Sequence, residues 1–343
     1  MKRLRLLTFI PLAAIVALNL SRPSPAAVLD LPVPVQRPAA GDLSVMTYNI
    51  KGLPFPAAYG RADEVRQIGE RLGDLRRAGT QPHVVLLQEA FIPQAKAIAT
   101  AAGYAHFAIG PAAADAPTAS AKSPAATDAA FASQASWSKG EGLGKWVDSG
   151  LVILSDYPIV RTRRMAFPAD MCAGYDCLAA KGVLVAWVKV PGHDRPIAIA
   201  DVHLNSRKAS GVELGRANFA YQSQIASTRT FIRASVAADS DVIFGGDFNL
   251  GHDRDRIAAQ AADGGLLAGS LEATDLDRVA PGFPQNAQAV AAVRKHAKDK
   301  QYFRAGTGEH LGLRDLRVPS GFRDENGRAL SDHLPYIADY VLR

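Results

Sequence analysis

The chain is poor in cysteine and, beyond its N-terminus, has no apolar run long enough to cross a bilayer. Two cysteines in 343 residues exclude a disulfide-rich framework and a zinc site built mainly from thiolates. The sequence also lacks a P-loop, a dinucleotide-binding fingerprint and a Gly-x-Ser-x-Gly nucleophile elbow. A hydrophobic content of 48% with 21% charged residues excludes a disordered or collagen-like chain. These absences leave a globular protein of one large domain or two medium ones.

The body of the chain also lacks a strong excess of positive charge, although the formal net charge is +6. Four of the 39 lysines and arginines lie within the first 22 residues, a segment without acidic residues. Removing them leaves 35 basic residues against 33 acidic ones, a net charge of +2. A body this close to neutrality does not by itself indicate a nucleic-acid-binding protein.

The N-terminus has the features of an export signal. Three basic residues precede an apolar stretch over 6–20, and small residues with prolines follow it. This pattern predicts a signal peptide over 1–27, with an uncleaved membrane anchor as the alternative. The Pro-containing residues 28–41 predict an extended linker. We therefore expect an exported protein, secreted or periplasmic, in which Cys172 and Cys177 either form a small disulfide or stay reduced.

Residues 42–343 predict one α/β domain. Helical spacing of apolar residues predicts helices over 61–78, 93–102 and 212–235. Short β-rich runs predict strands over 43–50, 83–87, 104–109, 151–154, 159–167, 182–190, 196–204, 241–245 and 336–342. Residues 111–147, rich in Ala, Ser and Gly, predict a long surface loop. The number of tightly apolar strands indicates two sheets packed face to face with helices outside.

Polar side chains gather where the predicted strands end. Four apolar runs finish in, or lead into, the short clusters YN (48–49), QE (88–89), DVHLN (201–205) and GGDFN (245–249). A fifth cluster, SDH (331–333), precedes the last strand. Because the ends of adjacent strands meet at one edge of a sheet, we expect these clusters to form one site.

The chemistry of these clusters indicates metal-assisted hydrolysis of a phosphate ester. Their Asn, Asp and Glu side chains offer the oxygen ligands that hard cations such as magnesium prefer. His203 and His333 can accept a proton from water or stabilise an anionic oxygen. Asp332, beside His333, is a candidate for setting the charge of a histidine or the geometry of a metal.

In this order and spacing, the clusters resemble the endonuclease/exonuclease/phosphatase superfamily. The matching segments are MTYNI (46–50), VVLLQE (84–89), SGLVILS (149–155), DVHL (201–204), GGDFN (245–249) and SDH (331–333). The resemblance spans most of residues 43–343. It implies a catalytic domain with a four-layered αββα sandwich, two mixed β-sheets flanked by helices. It also implies a divalent metal cofactor, most often Mg²⁺.

The resemblance implies roles for individual residues. Glu89 is expected to be the principal metal ligand, with Asn49 beside it. Asp247 and Asn249 are expected to orient the attacking water and the phosphate.

The histidines receive complementary roles from the same resemblance. His203 is expected to stabilise a phosphate oxygen, and His333 to be the catalytic histidine that acts as general base. Asp332 is expected to contribute to catalysis beside His333 or to contact the metal.

A narrower similarity is to the bacterial secreted type of neutral sphingomyelinase. That branch has an Asp followed five residues later by Lys-Gly at the entry to a strand, and Asp176 and Lys181 fit this spacing. It implies that the two residues bind substrate, since a lysine can pair with a phosphate. The family has a Leu-Asp-Tyr-Ile-type strand before the final cluster. The nearest segment here, KDKQYF (298–303), departs from that pattern and offers Asp299 as the counterpart of the family's Asp.

The expected function is therefore that of a secreted, metal-dependent phosphodiesterase, sphingomyelinase-like or phospholipase C-like, acting on phospholipid at a membrane surface. A secreted nuclease or a sugar or inositol phosphatase using the same residues is the alternative. No obligate protein partner is evident from the sequence. Trp137 and Trp146 in the long loop are candidates for contact with a membrane interface. The alternative is that they pack against the loop itself or are simply exposed.

Overall fold

The computed structural model describes residues 42–117, 126–275, 287–308 and 311–342. The predicted signal peptide over 1–27 and linker over 28–41 lie outside the described residues. The strands are β1 (Asp42–Gly52), β2 (Val84–Ala90), β3 (His106–Ile109), β4 (Val152–Ser155), β5 (Ile159–Ala166), β6 (Gly182–Val188), β7 (Ile197–His203), β8 (Val242–Asp247), β9 (Leu271–Glu272), β10 (Asp299–Arg304), β11 (Leu311–Arg317) and β12 (Tyr336–Leu342). The α-helices are α1 (Arg61–Arg77), α2 (Pro93–Lys96), α3 (Ile98–Ala102), α4 (Ala126–Ser133), α5 (Leu214–Ser235), α6 (Arg254–Ala261) and α7 (Ala287–His296).

Two mixed six-stranded sheets pack face to face, which confirms the predicted αββα sandwich. Their strand orders are β11-β12-β1-β2-β4-β3 and β5-β6-β7-β8-β10-β9. Each sheet has one parallel pair, β1 with β2 and β7 with β8, near its middle, and the remaining pairs are antiparallel. The two parallel pairs are what align the strand ends that carry the polar clusters.

The apolar runs form strands buried on both faces, because each sheet is covered by the other sheet inside and by helices outside. β6 is buried along its whole length, and so is β7. On one outer face α1 packs through Val65, Ile68 and Leu72, which recur at helical spacing. On the other, α5 packs against β7 and β8.

Glycines at the end of β8 allow the chain to approach β7 closely. Gly246 has a φ of 135°, and a Cβ there would lie 2.2 Å from the carbonyl oxygen of Val202. No other residue type adopts this conformation without strain, so the local backbone structure requires glycine at position 246. The register across this pair sets His203 directly beside Asp247.

Several elements differ from the sequence predictions in extent. The predicted helix over 93–102 is divided at Ala97 into α2 and α3, where the Ala97 N–H bonds to Gln94 three residues back. Within 111–147, predicted as a loop, α4 is helical, which suits the helix propensity of its alanines even without an apolar period. Residues 118–125 of that segment lie outside the described part. Cys172 and Cys177 form a disulfide.

Strands β9 and β11 and helices α6 and α7 were not predicted, and β10 was only a doubtful counterpart of a family strand. The apolar residues of α7 and the leucines of β11 do recur at helical and strand spacing, whereas α6, β9 and β10 mix polar and apolar residues, so tertiary packing decides their structure. No helix within the described ranges combines the length and the apolarity that are needed to span a bilayer.

Candidate active site

The polar strand ends from both sheets meet at one edge of the sandwich. Asn49 lies on β1 and Glu89 on β2 in one sheet, while His203 ends β7 and Asp247 ends β8 in the other. The two sheets therefore contribute opposite walls of one site, as the parallel pairing requires.

Asn49 joins the two central carboxylates. Its Nδ2 donates to Glu89 Oε1 at 2.9 Å and to Asp247 Oδ2 at 3.0 Å. Its Oδ1 accepts a hydrogen bond from the backbone N–H of Lys51 at 3.0 Å. In this arrangement Asn49 holds the carboxylates in place, and its oxygen faces the backbone of β1 instead of the space between them.

Two overlapping groups of side chains, all buried except the half-buried Glu89, have the composition of a cation site. One contains Glu89, His203 and Asp247, the other Asp247, Asp299 and His333, and within each group the candidate ligand atoms lie within 4.8 Å of one another. Burial raises the pKa of Glu89 above its usual value, so its charge is poorly compensated by the protein alone. Carboxylate oxygens that need positive charge suit a hard divalent cation. The residues present therefore fit the expected metal.

The backbone at this edge is strained at three points. Lys51, Glu89 and Asn249 all have positive φ, at 50°, 57° and 48°. The left-handed region costs a non-glycine residue about 1–2 kcal/mol, and such costs concentrate at functional sites. Asn249 is held by its N–H, which donates to Asp247 Oδ1 at 2.8 Å, and by its Nδ2, which donates to the Leu204 carbonyl at 2.9 Å.

His333 lies between two carboxylates. Its Nδ1 is 2.9 Å from Asp299 Oδ2, and its Nε2 is 3.7 Å from Asp247 Oδ2. Burial acts to lower the pKa of His333, but the charges of Asp299 and Asp247 outweigh it and raise the pKa to about 10. The raised pKa favours the protonated imidazole, the form that can stabilise or protonate an oxygen.

The side-chain partner of His333 is Asp299, which is not among the site residues predicted from the sequence. The Asp332 side chain is 53% exposed, with Lys51 Nζ at 3.5 Å and Lys298 Nζ at 3.8 Å. Adjacent residues in the chain point in different directions here, so Asp332 faces the rim of the site. In the sequence, only the similarity of residues 298–303 to a family strand pointed to Asp299. In the structure Asp299 begins β10.

Asp176 and Lys181, predicted from their spacing, both lie in the site wall. Lys181 Nζ is 3.0 Å from Asp176 Oδ1 and 2.9 Å from His203 Nε2, and it donates to the Leu204 carbonyl at 3.1 Å. Asp176 also accepts a hydrogen bond from the Ser206 N–H. The pair therefore connects the loop before β6 to the end of β7.

His203 is neutral in this environment. Burial and the positive charge of Lys181 lower its pKa to about 3. A lysine ammonium that donates to Nε2 places the imidazole proton on Nδ1, which is buried without a partner among the described side chains. The two pKa values are thus shifted in opposite directions: burial and Lys181 lower that of His203, whereas Asp299 and Asp247 raise that of His333.

Exposed aromatic side chains lie on loops around the site. Phe55 and Tyr59, in the loop after β1, are 66% and 77% exposed and contact one another edge to face. Trp137 is 75% exposed, and the backbone of Trp146 is held by its N–H, which donates to the Leu178 carbonyl at 2.7 Å. Leu178 lies between the two residues of the Asp176 and Lys181 pair, so this aromatic segment borders the site.

Comparison with known proteins gives curated relatives, which are similar in sequence, and solved structures, which are similar in fold. The chain is 27% identical over 318 residues to a sphingomyelinase of Mycobacterium tuberculosis, a match that covers 88% of this chain and 54% of the relative. The chain thus spans about half the length of the curated relatives it matches.

Solved structures share the fold at lower identity. Sphingomyelinase C from Streptomyces griseocarneus is 22% identical with a TM-score of 0.54, covering 87% of this chain and 99% of its own. TDP2 from D. rerio, complexed with a single-strand DNA product, is 17% identical with a TM-score of 0.56, covering 87% and 98%. Residues 46–333 match the model of one family, and the chain belongs to it: the Endonuclease/Exonuclease/phosphatase family.

Proposed function

We propose that the protein is a divalent-metal-dependent phosphodiesterase with sphingomyelin or a similar phospholipid as substrate. The observation that carries this proposal is the cluster of Glu89, Asp247 and His203, with His203 Nε2 at 3.5 Å and His333 Nε2 at 3.7 Å from the same Asp247 oxygen. Anionic oxygens that need a cation, next to two histidines, form a site suited to a phosphate diester.

Glu89 and Asp247 would hold the metal, for which we propose Mg²⁺ because the donors are hard oxygens. When bound, a divalent cation supplies charge neutralisation to the phosphate and to the carboxylates around it, among them the Asp247 group that helps to raise the His333 pKa. Asn49 would hold the two carboxylates in place, because its Nδ2 donates one hydrogen bond to each of them.

The other side chains would act on the substrate and the attacking water. Asp247 and Asn249, joined by the hydrogen bond at 2.8 Å, would orient water and phosphate. Lys181 would bind a phosphate oxygen, with His203 beside it as a neutral donor or acceptor. His333 would serve as the acid–base group, and Asp299 would hold its ring.

A lipid substrate is supported by two independent observations. The sphingomyelinase similarity extends over most of this chain, and Asp176 and Lys181 meet in the site wall at 3.0 Å. Phe55 and Tyr59 lie in the loop that follows the site strand β1, Trp137 is also exposed, and aromatic rings of this kind favour the polar–apolar boundary of a bilayer. A lipid surface would therefore meet the aromatic loops as its head group enters the site.

A nuclease is the second candidate. Lys51 and Lys298 flank Asp332 at the rim, where a nucleic-acid backbone could pair with them. The fold is shared with TDP2 bound to a DNA product, although at 17% identity. Binding through phosphate contacts would weaken steeply as salt increases, whereas lipid docking through aromatic rings would not.

The test is to assay the purified protein with magnesium on sphingomyelin vesicles and on plasmid DNA side by side. We expect phosphocholine release that is lost with chelator, lost in His333→Ala and little changed between low and high salt. DNA nicking alone, falling steeply with salt, would move the protein to the nuclease function. Activity only on phosphate monoesters would indicate a sugar or inositol phosphatase.

We also propose export through the N-terminal segment, supported by its basic start and apolar core over 6–20. N-terminal sequencing of protein recovered from the culture medium or periplasm would test this. A mature start near residue 28 would support cleavage, and an intact N-terminus in the membrane fraction would indicate the anchor.

A further inference from the structure

A fully buried arginine lies behind the site, on a helix that carries none of the predicted site residues. Arg256 is on α6, whose first turn is anchored by Asp253, which accepts from the Arg256 N–H at 3.1 Å. Its guanidinium lies 4.4 Å over the ring of Tyr221 on α5.

The guanidinium donates to oxygens of two site loops. Nη1 donates to the Asn205 carbonyl at 2.7 Å and to the Asn249 carbonyl at 2.9 Å. Nη2 donates to the Ser206 carbonyl at 3.3 Å, and Nε donates to Asn218 Oδ1 at 2.7 Å. Asn205 and Ser206 follow β7, and Asn249 follows β8, so one side chain ties together the ends of the parallel pair.

Stability alone does not account for a cation at this position. All four hydrogen bonds of the guanidinium end on neutral oxygens, and burial lowers the pKa of Arg256 only to about 10, which leaves it charged at neutral pH. Burying a charge is costly, and well-packed apolar residues often stabilise a fold as well. The planar fork of arginine adds fixed geometry, which an apolar residue does not supply.

We infer that Arg256 is a positioning residue for the site, acting through the two loops it joins. One loop contains Asn249, strained at a φ of 48° and bonded to Asp247. The other contains Ser206, whose N–H holds Asp176 beside Lys181. Arg256 thereby sets the spacing between the residues proposed to orient water and those proposed to bind phosphate, an inference that rests on the proposed function for its catalytic meaning.

The chain offers a matched control in a second buried arginine. Arg229 on α5 is 7% exposed and donates to the Gly265 carbonyl at 3.1 Å, to Asp263 Oδ2 at 2.7 Å and to the Ala262 carbonyl at 2.8 Å. These bonds fasten the turn after α6. Arg229→Met therefore removes a buried guanidinium and its hydrogen bonds outside the site loops.

The experiment compares Arg256→Met, Arg256→Lys and Arg229→Met by amide hydrogen exchange and by steady-state kinetics on sphingomyelin vesicles. We expect faster exchange at 204–206 and 248–251 in both Arg256 variants, and not in Arg229→Met. We expect kcat of Arg256→Met to fall about 10- to 100-fold with KM changed less than about threefold, because a small misplacement of reacting groups costs rate. The kcat of Arg256→Lys should lie between those of wild type and Arg256→Met, since one ammonium cannot reach all four acceptors.

The inference is overturned if folded Arg256→Met keeps wild-type kcat, or if its site loops exchange no faster than those of Arg229→Met. Should the Met variant not fold, the Lys variant decides by the same two criteria. A wild-type protein that does not hydrolyse the vesicles would refute the proposed function, while the exchange measurement would still decide whether Arg256 holds the loops.

Discussion

Asp299 and Asp247 are register partners across the antiparallel pair β8 and β10, and this pairing places a carboxylate on each side of His333. The charge of the imidazole follows from that placement. On the neighbouring strand β7, burial and the ammonium of Lys181 lower the pKa of His203, which favours the neutral imidazole. Two histidines with ordinary pKa values in a peptide are thus shifted in opposite directions by burial and by the charges beside them.

Removal of the Asp299 charge should change His333 more than removal of the adjacent Asp332 charge. We expect Asp299→Asn to lower kcat about 100- to 1000-fold, because the ring loses its hydrogen-bonded carboxylate and its raised pKa. Asp332→Asn, at the exposed rim, should cost less than about tenfold.

Steady-state kinetics on both variants, with the His333 imidazole titrated by NMR, provides the measurement. The imidazole titration should move to lower pH in Asp299→Asn. An equal or larger loss in Asp332→Asn would mean that the exposed carboxylate, and not the buried one, supports the histidine.

At the scale of elements, a third histidine, His83, links β1 to the start of β2. His83 Nδ1 accepts a hydrogen bond from the Ser44 N–H at 3.0 Å, a bond that a proton on Nδ1 would abolish. Burial lowers the pKa of His83 from 6.5 to about 4, although Asp339 and Asp42 act in the opposite direction. This hydrogen bond beside the β1–β2 pair therefore requires a neutral imidazole.

This predicts a pH dependence of stability with a definite sign. Between about pH 6.5 and pH 4 the unfolded chain binds a proton at His83 that the folded chain does not, so the free energy of unfolding falls as pH falls. We expect His83→Gln to remove about 1–3 kcal/mol of that decrease. Urea unfolding at pH 7 and pH 4.5 would measure it, and identical pH slopes in variant and wild type would contradict it.

For the whole molecule, the site exists only while the two sheets stay packed, because each contributes one wall. Asn49 and Glu89 come from one sheet, and His203, Asp247 and Asp299 from the other. The hydrogen bond from Asn49 to Asp247 crosses this interface, while the bond to Glu89 stays within one sheet.

Between the sheets lies a buried carboxyl group that should be neutral. Asp201 is fully buried, accepts from Gln88 Nε2 at 2.7 Å, and has its pKa raised well above the usual value by burial. Asp201 Oδ2 and Gln88 Oε1 are both buried without a partner within the described ranges, which favours a protonated acid. A group with a raised folded pKa loses its contribution to stability as pH rises through that value.

Asp201→Asn should therefore be more stable than wild type at pH 8, with the difference shrinking as pH is lowered toward 4. The amide keeps the size and polarity of the neutral acid and does not ionise. Chemical denaturation of both proteins over this pH range would measure the difference. A variant less stable than wild type at pH 8 would show that the ionised carboxylate stabilises the sandwich.

The sandwich and most of the site could be predicted from sequence because both depend on local patterns. Continuous apolar runs indicate buried strands, and Asn49, Glu89, His203 and Asp247 stand at the ends of such runs. Asp299 and Arg256 depend on long-range placement instead. The sequence DKQYFR of β10 has no clear strand period, and Arg256 reaches the site from a helix.

The most direct test of the central claim is the rate of phosphocholine release as a function of magnesium concentration, for wild type, Glu89→Gln and Glu272→Gln. Glu272 accepts from Lys300 Nζ at 2.7 Å on edge strand β9 and serves as the control carboxylate. We expect no release by wild type in chelator, and a half-saturating magnesium concentration at least about tenfold higher in Glu89→Gln alone. Release that persists in chelator, or an unchanged magnesium dependence in Glu89→Gln, would contradict the assignment of this site as the metal-dependent centre.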